Sequence, residues 1–158
     1  MKYRKQILKH ASVLLPYTTL LDVLTNKVGP IETEIGSFER RFSALILWLR
    51  GNYEEGTKII TSANLAKTVL LLFHADGGKT IPPEETALSI SQDLALNSVV
   101  EKMKRENIEY LILVNTDNFT TRMKHLLPLW ENPDLASGLG LTLVHTDPKR
   151  SQVYSLQQ

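Results

Sequence analysis

Tyr110-Leu111-Ile112-Leu113-Val114 is an unbroken apolar run between Asn107-Ile108-Glu109 and Asn115-Thr116-Asp117-Asn118. Strict apolar–polar alternation would mark a strand with one face in water. Five apolar residues in succession instead mark a strand covered on both faces, as in a parallel sheet with helices on either side. Its flanks agree. Before it, Ser91 or Asp93 opens a helix with Leu96, Val99, Val100 and Met103 on one face, and Glu101 and Arg105 form an outward i,i+4 pair. After it, Asp117 is placed to cap a helix that brings Phe119, Met123, Leu126, Leu127 and Trp130 to one face, with Pro128 kinking or ending it.

Further towards the N-terminus, Lys58-Ile59-Ile60-Thr61 reads as a short buried strand. Ser62 or Asn64 caps the helix that follows, in which Ala66, Val69, Leu70 and Phe73 form an apolar face. Leu71 and Leu72 widen that face until the helix must be buried on most sides. Asp76-Gly77-Gly78 ends it, Pro82-Pro83 belongs to a loop, and Leu88 to Ile90 forms a brief strand. Before all of these, a helix from Ser37 carries Phe38, Phe42, Leu45, Ile46 and Leu49 on one face and stops near Gly51. At the other end, Leu141-Thr142-Leu143-Val144-His145 and Gln152-Val153-Tyr154-Ser155-Leu156 flank Asp147-Pro148-Lys149-Arg150 as a hairpin. The whole predicts an α/β fold: a three-layer Rossmann-like domain whose mostly parallel sheet ends in a C-terminal antiparallel strand pair at its edge. The α/β domain spans 37–158, preceded by an amphipathic helix and linker over 1–36.

The 158 residues fit one domain with a real core, and 42% hydrophobic with 22% charged residues is ordinary for a globular chain. A net charge of +1 lacks the strong field of a dedicated nucleic-acid binder, so no nucleic-acid partner is expected. With no cysteine, disulfides, thiolate nucleophiles and cysteine-held metals are excluded. The N-terminal Lys2, Arg4, Lys5 and Lys9 precede an apolar stretch from Ala11 to Leu24. Pro16 and Asp22 interrupt that stretch, which argues against a signal peptide or a membrane span. Ile7, Leu8, Ala11, Leu14 and Leu15 make one face of an amphipathic helix. It serves to pack on the core, to form a homodimer contact, or to lie on an anionic membrane surface through residues 1–24.

No local motif identifies a reaction, so no catalytic residue, metal ligand or cofactor is assigned. Whether the chain is an enzyme stays open. Gly78-Lys79-Thr80 echoes the end of a phosphate-binding loop. However, Phe73 stands where that motif needs glycine, and a helix precedes where a strand should. His10, His74, His125 and His145 have no metal-ligand spacing, and Glu54-Glu55 and Glu84-Glu85 read as loop carboxylates. The remaining argument is topological. Ligands of open parallel sheets bind beyond the strands' carboxyl ends, which points to Ser62, Asn64, Asn115 and Asp117 as ligand-binding candidates. The same residues also suit plain helix capping.

Taken in order, the segments resemble a known family. Leu47-Trp48-Leu49-Arg50 with Gly56-Thr57-Lys58-Ile59-Ile60-Thr61 is similar to the helix and first strand of the soluble C-terminal domain of polytopic membrane glycosyltransferases of the mannosyltransferase and aminoarabinose-transferase type. Asn107 to Val114 resembles their later apolar strand. Leu129-Trp130-Glu131-Asn132-Pro133, Leu141 to His145 and Val153-Tyr154-Ser155-Leu156 resemble their closing helix and strands. The resemblance covers residues 38 to 157 and implies an extracytoplasmic, non-catalytic accessory or binding domain. Its partner would be a membrane glycosyltransferase, and its setting envelope glycan or lipid-linked sugar metabolism. In that family the catalytic carboxylates lie in the membrane portion, so none is carried over. Two other readings stand beside it. One is a small cytosolic α/β enzyme or nucleotide-type ligand binder using the strand-end crevice. The other is a protein-interaction or peripheral-membrane module.

Overall fold

The structure, a computed structural model, describes residues 37–116 and 119–157. The amphipathic helix and linker expected over 1–36, and Asp117, lie outside the described residues. A helical turn over 37–41 leads into α1 (Ser43–Asn52), followed by β1 (Ile59–Thr61), α2 (Leu65–Ala75), β2 (Ala87–Ser89) and α3 (Leu96–Glu106). Next come β3 (Tyr110–Val114), the short helices α4 (Phe119–Arg122) and α5 (Leu127–Glu131), and a hairpin of β4 (Leu141–Asp147) and β5 (Ser151–Leu156). The five strands form one open sheet in the order β2-β1-β3-β5-β4. The pairs β1–β2 and β1–β3 are parallel, while β3–β5 and β4–β5 are antiparallel. The α/β class and the parallel-then-antiparallel sheet are therefore as the sequence indicates.

Two apolar clusters lie on opposite faces of this sheet, because alternate strand residues point opposite ways. Ile112 and Val114 join Ile59, Ala87 and Val153 beneath Leu45, Leu49, Val69 and Leu72 of α1 and α2. Leu111 and Leu113 join Ile60, Tyr154 and Leu141 against Val99, Met103, Phe119 and Leu129 of α3, α4 and α5. The chain leaves β1 towards β2 and then returns past β1 to β3. With right-handed crossovers that reversal of direction requires α2 and α3 on opposite faces, and there they are. Helix α2 has nine of its eleven residues buried, as Leu71 and Leu72 require.

Local differences from the sequence reading have physical causes. The helix expected to start at Ser91 or Asp93 begins at Leu96, because Ser91 instead closes a turn, its carbonyl accepting from the Leu94 amide. Glu101 pairs with Lys104 rather than Arg105, which reaches Glu106; on an exposed face such pairings are nearly equal in energy. The helix expected to be kinked or ended by Pro128 is broken earlier, at Met123, and Pro128 sits in the first turn of α5. A proline there needs no amide partner, whereas continuing the helix through it would clash with the carbonyl four residues back. The hairpin adds its strands in an unexpected order. The last strand, β5, inserts beside β3, and β4 forms the edge.

Candidate functional site

Two regions of the sheet bear on function, one at each end of β3. At the carboxyl ends of the parallel strands, β1 and β3 are neighbours whose chains depart in opposite directions, the condition for a switch-point crevice. Ser62 and Asn115 stand at these two ends, and Asn64 opens α2.

Each of these side chains is tied into the fold. Ser62 is 5% exposed. Its hydroxyl accepts from the Val114 amide at 2.8 Å and lies 3.2 Å from the Val114 carbonyl, to which it donates. With the Ser62 amide donating to Ile112 O at 3.1 Å, this continues the β1–β3 ladder one rung past the strand. Asn64 is the N-cap of α2, its Oδ1 accepting from the Lys67 amide at 2.9 Å. Nearby, the Thr61 and Thr68 hydroxyls share a 2.7 Å hydrogen bond, and Ser89 donates to the Ala63 carbonyl.

Asn115 joins three segments. Its amide donates to Arg150 O and its Nδ2 to Lys149 O, each at 2.8 Å, while its carbonyl accepts from Arg41 Nη2 at 2.8 Å. Arg150 Nη1 in turn donates to the Arg41 carbonyl at 2.7 Å. Two guanidinium groups thus stand at the rim, from positions 74 and 35 residues away from Asn115 in the chain (115 − 41 and 150 − 115). Sequence reading missed both, and no local signal marks them.

The glycine-rich stretch after α2 is a helix exit. Asp76 Oδ2 accepts from the Thr80 amide at 2.9 Å and from the Thr80 hydroxyl, and Gly77 and Gly78 take positive φ. Of the described histidines, His74 is buried in α2 with Nδ1 3.9 Å from a Glu39 oxygen, His125 lies in the turn after α4, and His145 is on β4. Among the described residues no group of three or more His, Asp or Glu could hold a metal ion. Nor is any helix among them long and apolar enough to cross a membrane.

The opposite end of β3 carries a groove of about 860 Å³ that is partly open to solvent. Strand pairing places Tyr110, Ser155 and Thr142 in one row across β3, β5 and β4, because Tyr110 faces Ser155 and Ser155 faces Thr142. Residues directly opposite one another project on the same face. Helix α1 lowers Trp48 onto the head of this row. The Trp48 ring meets Tyr110 edge-on, centroids 5.2 Å apart at 82°, and stacks on His145 at 5.5 Å and 27°. A bulge in β4 between Leu143 and His145 offsets the register there and brings Val144 to the groove wall.

The electrostatics of this groove are simple. Among the described residues no lysine or arginine lines it, and Glu109 is its one carboxylate. Burial, aided by Glu109 and Glu54, raises the Tyr110 phenol above its ordinary value, so it stays a hydrogen-bond donor at neutral pH. Burial lowers the His145 imidazole, with Asp147 opposing, so neutral pH favours the uncharged ring against Trp48. No nucleophile–base pair is formed by these groups; what the groove offers is shape, an aromatic surface and neutral hydrogen-bonding groups. Sequence reading assigned Trp48 and Tyr110 to a helix and a strand only. Their meeting depends on α1 packing across β3, which no spacing encodes. Comparison of the chain with protein-family models, curated proteins and solved structures returns no match.

Proposed function

We propose that this chain is a non-catalytic binding domain that takes its ligand in the groove beside Trp48 and Tyr110. The observation that carries the reading is the contrast between the two ends of β3. At the carboxyl ends, Ser62, Asn64 and Asn115 are spent on internal hydrogen bonds. In the groove, the side chains of Tyr110, Thr142, Ser155 and Glu109 enter no hydrogen bond with the described residues and lie beside an aromatic wall. Aromatic lining with a few convergent polar groups is what small-molecule sites share, at volumes of roughly 300–1,000 Å³.

The resemblance to the soluble domain of membrane glycosyltransferases supplies the setting. We read the fold as the three-layer Rossmann-like form of that family. The domain would be an extracytoplasmic accessory in envelope glycan or lipid-linked sugar metabolism. Its partner would be a membrane glycosyltransferase or membrane surface contacted through residues 1–24, and a homodimer contact is the other use of that segment. A second reading is favoured by the switch point between β1 and β3 with Arg41 and Arg150 at its rim. It is a nucleotide-type ligand binder or small cytosolic α/β enzyme acting at Ser62, Asn64, Asn115 and Asp117.

Amide-resolved NMR of the full chain separates the two readings. Detergent-solubilised lipid-linked sugars should shift amides at 48, 110, 142 and 155. Nucleotides that shift 62–64 and 115–116 while the groove stays silent would replace the first reading with the second. Chemical turnover of any added ligand would overturn the non-catalytic assignment.

A further inference from the structure

Resting on the groove as the binding site, we propose that its ligand is a neutral carbohydrate chain of at least two sugar units. Charge decides the first word. Among the described residues the groove has no cation, and Glu109 is negative. A phosphate or carboxylate ligand would meet one like charge and only neutral donors, the Asn52, Asn107 and Gln157 amides and the hydroxyls, whereas sites for such groups present arginine or lysine. Arg41 and Arg150 are placed instead at the other end of β3, hydrogen-bonded to backbone carbonyls.

The distribution of polar and apolar groups decides the class. A pyranose has apolar C–H faces and a rim of hydroxyls. The C–H face packs on the electron-rich face of an aromatic ring, and the hydroxyls need neutral donors and acceptors in fixed places. Tyr110 and Trp48, whose ring also stacks on His145, form the aromatic wall, and Val144 lines the groove as well. The Ser155 and Thr142 hydroxyls follow in a cross-strand row, each able to donate and accept. Glu109 adds an acceptor at the rim, suited to two hydroxyls at once. A purely aliphatic or aromatic ligand would leave the hydroxyl row and Glu109 desolvated without partners, a costly arrangement.

Length follows from the sheet. The row from Tyr110 to Thr142 crosses two strand spacings, about 10 Å, which is longer than one sugar ring. The groove is partly open to solvent rather than enclosed, as a site for an extended chain requires.

The test uses the full chain with cellotetraose, mannotetraose and chitotetraose as probes, and inorganic phosphate, glucose 1-phosphate and a neutral alkyl detergent as comparators. Amide shifts and tryptophan fluorescence are followed together. We expect at least one tetrasaccharide to shift amides at 48, 110, 142 and 155. Thr142→Val and Ser155→Ala, outside the buried core, should each weaken that binding roughly ten-fold, the equivalent of one good hydrogen bond. Trp48→Phe should weaken it and move the fluorescence change; should Trp48→Phe fail to fold, the two hydroxyl variants decide alone. Groove shifts with the phosphorylated probe or detergent but with no tetrasaccharide would overturn the carbohydrate inference and leave the groove as the site. Shifts confined to 62–64 and 115–116 would overturn both. No response to any tetrasaccharide at millimolar concentration would overturn the inference as well.

Discussion

Replacing Ser62 with alanine tests whether the strand-end crevice is part of the fold or open to ligand. The Ser62 hydroxyl accepts from the Val114 amide at 2.8 Å and donates to the Val114 carbonyl at 3.2 Å, a carbonyl that also accepts from the Thr116 amide at 2.9 Å. Val114 is fully buried and Ser62 nearly so. Its amide points towards β1, since β5 pairs on the other side of β3. Ser62→Ala therefore leaves a buried N–H without a partner, a loss on the order of 1–3 kcal/mol. The small void left by one oxygen admits no water to replace it. We expect about 2 kcal/mol, which for a domain of this size lowers Tm by roughly 4–8 °C. The assay is urea unfolding followed by circular dichroism, with the slope against urea unchanged. Asn64→Ala, which removes only the α2 cap, should cost about 1 kcal/mol and serves as the scale. A Ser62→Ala variant within roughly 0.5 kcal/mol of the parent, as for a neutral surface change, would refute the reasoning. Water would then be reaching Val114, the crevice would be open, and the second functional reading would gain the ground lost by the first.

Two further outcomes follow from buried polar groups. Tyr154 donates to Gln152 Oε1 at 2.6 Å, and Gln152 Nε2 donates to Trp130 O at 2.9 Å; burial pushes the phenol up to about 12, so it remains a donor throughout the ordinary pH range. Tyr154→Phe should cost about 1–3 kcal/mol, and Tyr154→Phe with Gln152→Leu should cost less than the sum of the single changes in urea unfolding; strict additivity would contradict the shared hydrogen bond. His145 is held below its ordinary pKa by burial, so in the window just below 6.5 the unfolded chain binds more protons than the folded one. Its contribution should be fully present above 6.5, fall as pH drops towards the folded value, and vanish in His145→Gln; an NMR midpoint at or above 6.5 would count against it.

Much of the fold was legible because burial on two faces leaves a local signature. Tyr110 to Val114 carries no alternation, and it is a central strand with apolar clusters on both sides. The one-face spacing of Phe38, Phe42, Leu45, Ile46 and Leu49 likewise marked five residues that are all buried, although the helix expected from Ser37 is interrupted at Phe42 and α1 starts at Ser43. The site was less legible. Ser62, Asn64 and Asn115 were found by topology, and the structure brings Ser62 and Asn115 to neighbouring strand ends. Their bonds, however, run to Val114, Lys67 and Lys149, partners that short-range reading supplied only for Asn64.

The hairpin shows where sequence stopped. The apolar Leu143 and Val144 are 37% and 40% exposed, while Ser151 to Tyr154, polar residues included, are all buried. Local residue pattern determined that two antiparallel strands exist and where they turn. It could not determine which one pairs with β3, because that depends on backbone hydrogen bonds made alike by every residue and on which neighbours cover the strand. Gln152 tolerates burial only because Tyr154 and the Trp130 carbonyl, brought there by α5, complete its hydrogen bonds. That choice of inner strand also set Ser155 between Tyr110 and Thr142. The groove was therefore created by tertiary pairing, from residues whose types alone signalled nothing beyond helix and strand.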